Sequence, residues 1–496
     1  MAQTITIGPV TRIEGHLDLE VTVDLVGGRQ QVVDAKCSGT MFRGFENILV
    51  GRDPLDALHL TQRICGVCPI SHGMASSLAL DGALASPGFA LPDNGRLVRN
   101  LVLGSNFIQS HLLHFYHLAM PDYVKTEGLL ELSPWSVQSS SPDMATGSAA
   151  AALADHYVQA LAMRRKAHQM GAIFGGKLPC SPVFVPGGAT KVATAADVDA
   201  FKAILAEVRR FIDTVYVPDA AQLAKLFPDY LQIGRGYGNL LAFGAFDLDA
   251  AGTAKLLARG RYTDGADAGA DGVDPLRITE DVARSWYASP SGLNPKDGVT
   301  TPAKAKAGAY SWLKAPRYAD KPHEVGPLAR LWVAGDYRKG ISVLDRHAAR
   351  ALEARKIAEA MAAWVDQFAF GKPFYTYLPL AASKSGVGMT EAARGALGHW
   401  LAIDKDKKIA RYQIVTPTAW NASPADDRGQ KGPMEQALVG TPVRDAKNPV
   451  EVLRVVHSFD PCLACSVHVA RPGVAGGRDR RGAMPFEPAA GAAGHA

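Results

Sequence analysis

The chain carries the same half-site twice, once near each end. "RICGVCPISHG", Arg63 to Gly73, and "DPCLACSVH", Asp460 to His468, each hold two cysteines three apart with a histidine close behind. A site built from both pairs forces the two ends of a 496-residue chain to meet, which constrains the fold more than any other feature. A single Cys-x-x-Cys is a weak signal: a redox pair, half a zinc site, or chance. Two pairs make a tetrathiolate site, for which structural zinc is the ordinary occupant. Zinc ribbons space their pairs by about 15–20 residues, whereas here nearly the whole chain intervenes. With 47% apolar residues the chain has core enough without a metal staple. A functional buried centre is therefore the stronger reading, and soft thiolates suit zinc, iron–sulfur or nickel.

Six cysteines in so long a chain do not form a disulfide scaffold. The 53 basic and 48 acidic residues nearly cancel to a net charge of +5, and no long basic block points to nucleic acid. The opening "MAQTITIGPVTRIEGH" lacks an apolar signal-peptide core and a twin arginine. No run of about 18 apolar residues reads as a membrane span. The expected location is cytoplasmic or membrane-associated through partners, with export only by a partner's signal peptide.

The expected fold class is α+β and predominantly helical: a long helix bundle, a β-rich N-terminal region and an irregular α+β middle insertion. In the β-rich part, 1–50, "HLDLEVTVDL" and "QQVVDAK" flank the turn "VGGR" as a hairpin or small sheet. The helical part, 53–235, opens at Asp53-Pro54, a capping residue followed by a residue suited to the first helical position. A second helix is expected from Pro69, which places Cys68 at a helix N-terminus where the dipole favours a thiolate. Helical periodicity then runs over Gly95–Met120, Ala149–Phe174 and Ala195–Phe227. Residues 240–340 are rich in Gly, Pro and Asp, with short β-like pieces such as "AYSWLKAPRYA". The part 345–468 is helical or mixed and starts with a helix from about Asp345 to Phe368. Val469–Ala496 has the composition of a poorly ordered tail. One domain over 1–468 and an extension over 469–496 are expected.

Further motifs accompany the cysteine pairs in order: "VTRIEGH" (Val10–His16), "SGTMFRGFE" (Ser38–Glu46), "LLHFYHL" (Leu112–Leu118), "SWLKAPRY" (Ser311–Tyr318), "EVGPLAR" (Glu324–Arg330), "ARGALGHW" (Ala393–Trp400) and "YQIVTPTAWN" (Tyr412–Asn421). Together with both pairs they resemble the large subunit of nickel–iron hydrogenases, nearly from end to end up to His468. The resemblance implies reversible cleavage of H2 to protons and electrons, with H2 oxidation as the working direction. It also implies a nickel held by four cysteines, two of which bridge to an iron carrying carbon monoxide and two cyanides. By motif position Cys65 and Cys462 would be terminal ligands, and Cys68 and Cys465 the bridges. Each side supplies one terminal and one bridging thiolate, which accounts for the repeated half-site.

Heterolysis needs a hydride acceptor beside a base. The resemblance implies Cys462 as that base and Glu14 as the next proton acceptor, a task suited to a carboxyl tuned by burial. Read alone, Glu14 is an ordinary salt-bridge partner of Arg12. Arg394 would hang over the metals with its donors towards cyanide or the incoming gas, paired and positioned by Asp122 and Asp460. Thr418 would donate to a cyanide. His72, one helical turn after Cys68, would hydrogen-bond back to the sulfur, although spacing alone equally suits a satisfied core histidine. Glu46, His468 and the carbonyl of Ile414 would hold Mg2+ or a similar hard ion; read alone, Glu46 is a glutamate on a surface turn.

There are departures from the family pattern. Ala393 stands where proline is common before the arginine, and Cys180 where histidine is common. Cys180 and Cys37 read as buried small apolar residues. Two cysteines beyond the four are too few for a four-thiolate cluster, so an iron–sulfur small subunit is the implied electron partner. The tail resembles a maturation extension cut after His468 by a protease. Its presence favours an uptake enzyme over an H2 sensor with the same centre. Other rivals are a structural zinc protein and a quinone-reductase subunit of related fold, whose relatives lack the cysteine set.

Overall fold

Apolar and polar residues alternate along "LDLEVTVDLV", and the backbone uses that alternation. The computed structural model describes residues 2–124 and 143–466. Strands β1 (Gln3–Ile7), β2 (Leu17–Val26) and β3 (Arg29–Gly39) form an antiparallel sheet in that order. Leu17, Leu19, Val21 and Val23 turn inwards to the core. The β2–β3 turn is Gly27-Gly28, with φ of 58° and 81°, the left-handed pair a two-residue hairpin turn needs.

The first cysteine pair lies between two helical pieces. Asp53 accepts the N–H of Leu55 at 2.9 Å, but the helix itself runs over Asp56–Leu60, slightly later than expected. It continues as a 3-10 turn, Thr61–Arg63. Helix α1 (Pro69–Leu84) begins at the expected proline with Cys68 as its N-cap. Helices α2 (Asp93–Leu112), α3 (Gly147–Gly175), α4 (Ala195–Phe211) and α5 (Val343–Trp364) pack together, α2 on α3 and α5, and α4 on both α3 and α5. Thr194 with Asp197 makes a capping box for α4, and Ser342 caps α5. The periodicity expected to run on to Met120 and Phe227 does so with a change of pitch: π-helical turns over Leu113–Ala119 and Ile212–Tyr216 interrupt the regular helix.

Residues 240–340 are irregular, as expected, with short strands such as Leu240–Ala242 and Ala315–Tyr318 and a helix at Pro327–Ala334. The part after α5 departs from a helical reading. Strands β4 (Lys384–Ala392), β5 (Gly395–Ile403) and β6 (Ile409–Val415) make an antiparallel sheet laid on α1. Most of β5 is buried on both faces, so its sequence carries no period-two pattern. Helix α6 (Val450–Ser458) and the short α7 (Leu463–Ser466) follow. The result is a mixed fold of helices and sheets. One buried cluster reaches from Val10 and Leu17 through the bundle to Cys462 and Leu463, so both cysteine motifs enter the same core. Among the described residues no helix is long and apolar enough to cross a membrane. The tail expected over 469–496 lies outside the described residues.

Candidate metal centre

The Cys65–Cys68 turn is built to hold negative sulfur. Cys65 Sγ accepts the backbone N–H groups of Val67 at 3.2 Å and Cys68 at 3.3 Å, two donors that stabilise a thiolate. Arg43 steadies the approach by donating to the carbonyls of Ile64 and Arg63, each at 2.7 Å.

The second motif arrives from α6. Asp460 takes a left-handed φ of 56°, which aspartate tolerates better than most residues, and turns the chain into Pro461-Cys462. The N–H of Cys462 donates to Thr418 Oγ1 at 2.9 Å. The N-terminal "RIEGH" segment zips onto this turn: Leu463 donates its N–H to the Glu14 carbonyl at 2.6 Å, and Glu14 donates to the Pro461 carbonyl at 3.3 Å. Gly15, at φ 83°, lies so close that an added Cβ would overlap the backbone of Leu463 and Ala464. Only glycine fits there.

The ends of the chain therefore meet at the sulfurs. Cys65 and Cys462 lie 3.3 Å apart, and the sulfurs of Cys65, Cys68 and Cys462 all fall within 4.8 Å of one another, fully buried. Cys465 sits in α7 one turn past Cys462; its side chain, and His468 altogether, lie outside the described residues. Clustered thiolates suit nickel, iron or zinc, and not a hard ion.

Arg394 occupies the two-residue turn between β4 and β5, above this cluster. It is ion-paired to Asp460 at 2.9 Å, and Nη1 reaches Ser110 Oγ at 3.4 Å. The pair runs through Nη2, while Nε is buried and meets no hydrogen-bond acceptor among the described residues. Burial opposes its charge, but Asp460 and the thiolates of Cys462, Cys68 and Cys65 hold its pKa well above the ordinary value. A buried Nε–H without an acceptor among the described residues, beside three thiolates, fits a metal centre that carries polar ligands of its own.

Asp122 requires a correction. It does not pair with Arg394: its oxygens accept from Arg12 and from His457 Nδ1. Burial raises its pKa, but those two partners pull it down to about 2. Among the described residues Asp460 is the carboxylate that pairs with Arg394. Arg12, at φ 56°, also donates to the Leu118 carbonyl, so the Asp122 pair ties the N-terminal segment to the end of the π-helical turn.

Glu14 is half-buried beside the cluster. Burial and then the Cys65 thiolate raise its pKa, while Arg394, the Gly66 N–H and Arg43 lower it less. Thr418 spends its oxygen on the Cys462 N–H, which leaves the hydroxyl hydrogen for another acceptor. His72 leaves α1 one turn after Cys68, fully buried, with Nδ1 3.1 Å from His399 Nε2.

Glu46 is buried, not on the surface. It accepts the N–H of Ile414 at 2.9 Å and the hydroxyl of Thr300, with Lys314 Nζ 3.7 Å away. Lys314 also pairs with Glu280 at 3.2 Å and donates to Gln413 at 2.8 Å. Glu46 and Ile414 are thus brought together through the Ile414 N–H, with the Lys314 ammonium beside the Glu46 carboxylate. Burial pushes Glu280 up to about 7, with Lys314 opposing it. Cys37 is buried and Cys180 half-buried, and the metal-ligating group among the described residues includes neither.

Several residues of the site were not singled out from the sequence: Ser110, His457, Lys314, Glu280, Gln413, His399 and Tyr412. Lys314 lies in "SWLKAPRY", His399 in "ARGALGHW", and Tyr412 and Gln413 in "YQIVTPTAWN". The signal existed as motif membership without a role.

Comparison with known proteins agrees with the geometry. The family model described as nickel-dependent hydrogenase matches residues 43–151, 140–341 and 336–468, and a HoxL-like model matches 4–36. The chain is 44% identical to the periplasmic [NiFeSe] hydrogenase large subunit of Desulfomicrobium baculatum, over 94% of this chain and 95% of that one. It is 35% identical to the uptake hydrogenase large subunit of Rhizobium leguminosarum bv. viciae, with the same coverage of 94% and 95%. Its fold matches the H2-activated [NiFeSe] hydrogenase of Dm. baculatum with a TM-score of 0.88 at 43% identity, over 94% of this chain and all of that one. With thiols from both termini in contact and a family match spanning nearly its whole length, the chain belongs to the nickel-dependent hydrogenases, as a large subunit of the [NiFe(Se)] type and an oxidoreductase acting on H2.

Proposed function

We propose that this chain is the catalytic subunit of an H2-oxidising enzyme whose nickel is held by Cys65, Cys68, Cys462 and Cys465, the second of each pair bridging to an iron with carbon monoxide and cyanide ligands. The observation that carries the proposal is the 3.3 Å contact of Cys65 and Cys462, with the buried Arg394 guanidinium, paired to Asp460, beside the thiolates. Selenium stands in the name of one relative, but every thiol position of this chain is cysteine, so the donor set is sulfur alone.

When bound, the nickel–iron centre supplies the electron-accepting half of the heterolysis. Cys462 takes the proton. Its backbone is held by Thr418 and by the Glu14 segment, so the sulfur and the Glu14 carboxyl keep a fixed relation. Glu14 receives the proton next; burial raises its pKa above the ordinary carboxyl value, which makes it a better proton acceptor. Arg394 offers its Nε–H to the ligands or the gas, and Asp460, paired with Nη2, balances that buried charge. Thr418 donates its hydroxyl to a cyanide. Glu46, the Ile414 carbonyl and His468 hold Mg2+.

Electrons leave through an iron–sulfur small subunit, the companion that the words "large subunit" in the relatives' names call for. One relative is periplasmic by name. Residues 1–468 act as one domain, and a maturation protease removes 469–496 once nickel is installed. An infrared spectrum of the purified complex tests the reading, combined with the mass of its large chain. Bands of metal-bound carbon monoxide and cyanide, with a chain ending at His468, are expected. Zinc in place of nickel, with no such bands, overturns the reading.

A further inference from the structure

Arg394 sits in the two-residue turn between β4 and β5, and a side chain on a turn is only as well placed as the backbone beneath it. Position 393 is alanine, which leaves φ open where a proline would fix it. The hold on the turn must therefore come from contacts. The segment "EVGPLAR", Glu324–Arg330, supplies them, and the reaction described above gives it no task. We infer that Arg330 is a positioning residue for Arg394, gripping the backbone just before it, with Gly326 leaving room for the Arg394 carbonyl.

Arg330 lies on the helix at Pro327–Ala334 and is fully buried. Its Nη1 donates to the Ala392 carbonyl at 3.0 Å, and its Nη2 donates to the Ala393 carbonyl at 2.8 Å. These are the two residues that precede Arg394. Nη1 also pairs with Glu391 at 2.8 Å, so three successive residues leading into Arg394 meet one guanidinium. Glu353 on α5 takes the remaining donors, Nε at 2.7 Å and Nη2 at 2.5 Å. Every N–H of the fork thus meets an oxygen, and turning it would leave buried donors without acceptors. A lysine cannot copy this, because its ammonium is a point charge and cannot span two carboxylates and two carbonyls.

The same segment is shaped around the turn. Gly326 has φ of 134°, and a Cβ there would lie 3.1 Å from the Arg394 carbonyl oxygen. A Cβ on Gly395, at φ 138°, would lie 2.8 Å from the Gly326 nitrogen. Asn421 fixes Val325 in its place, accepting its N–H at 3.0 Å and donating to its carbonyl at 2.9 Å. The tip of Arg394 meets Asp460 at 2.9 Å and Ser110 at 3.4 Å. A shift of the backbone behind it would therefore pass straight to the guanidinium. This inference rests on the metal centre proposed above, beside which Arg394 acts.

Arg330→Lys in the purified complex tests it, because the charge facing Glu353 and Glu391 stays while the grip on both carbonyls goes. Metal content should match the wild type, and the cyanide bands should shift as Arg394 moves. The kcat should fall at least about tenfold, since a displacement of about 1 Å can cost about a hundredfold. In an Arg394→Lys background the same change should lower kcat by less than about twofold, because residues that act as a unit are not additive. Wild-type speed or unmoved cyanide bands in the single variant contradicts the inference, as does a further loss of about tenfold in the double variant. If the single variant does not assemble, a crystal structure of the wild-type complex decides. Arg330 on both carbonyls, with Arg394 in one conformation, is expected there, and an Arg330 turned away from both overturns the inference. A wild-type complex without infrared bands of metal-bound carbon monoxide and cyanide defeats the proposed centre, whereas the crystal structure reports the grip independently.

Discussion

Glu14 and Cys462 lie side by side as a two-residue parallel bridge, held by the Leu463 N–H to the Glu14 carbonyl at 2.6 Å and the Glu14 N–H to the Pro461 carbonyl at 3.3 Å. The residue expected to receive the proton is therefore fastened by backbone, not by side-chain chance, to the residue expected to release it. Positioning of this kind matters because a displacement of about 1 Å can cost a hundredfold in rate.

Replacing Glu14 with Gln keeps the backbone bridge and the side-chain volume but removes the titrating group. Nickel and iron per chain should match the wild type, while H2–D2O exchange falls about a hundredfold or more, the usual scale for losing a proton-transfer group. Exchange at the wild-type rate would refute the relay.

Gly15→Ala tests the bridge itself. The new methyl group meets the backbone of Leu463 and Ala464, and φ of 83° is unfavourable for alanine. The two strands must part. Nickel content after purification should drop, and thermal unfolding should occur at lower temperature, a destabilisation on the order of 1–3 kcal/mol. Full nickel content and an unchanged transition would show that the close approach is dispensable.

Arg394→Lys keeps a positive charge opposite Asp460 but removes the planar fork that pairs with Asp460 through Nη2 and leaves Nε–H free to donate. Metal content should hold, and kcat should fall at least about tenfold, the effect of roughly 1.4 kcal/mol in the barrier. A lysine variant as fast as the wild type would mean that charge alone suffices.

Asp122 governs stability in acid. Its pKa is about 2 in the folded protein against an ordinary 3.8, because Arg12 and His457 favour the ionised form. The pair's contribution is complete above about pH 4 and is lost as the pH falls through 2, on the order of 2 kcal/mol. The urea midpoint of the wild-type complex should therefore drop between pH 5 and pH 3 by more than that of Asp122→Asn. Parallel curves would place the acid sensitivity elsewhere.

Much of this site could be read from the residues, because chemistry at fixed spacing survives in one dimension. Cys65, Cys68 at a helix start, Cys462 and the motif positions of Glu14, Arg394 and Thr418 converge in space. What could not be read is long-range partnership. Asp122 meets Arg12 and His457 across more than a hundred residues on either side, and no local pattern distinguishes that from a pairing with Arg394. Lys314 and Glu280 likewise find Glu46 only through the tertiary fold. The β4–β6 sheet was obscured by its glycines: at Gly386 and Gly388 the backbone of α1 lies against the strand, where any Cβ would collide with the carbonyls of Ala79 and Ala75. Those glycines mark close packing, yet in sequence they read as strand breakers.

Nickel K-edge X-ray absorption on the purified complex tests the central claim, that thiolates from both ends of the chain bind one metal. A first coordination shell of sulfur, reduced when Cys65 or Cys462 is replaced by serine, is the result expected. A nickel shell of nitrogen and oxygen alone, or one indifferent to either replacement, would contradict it.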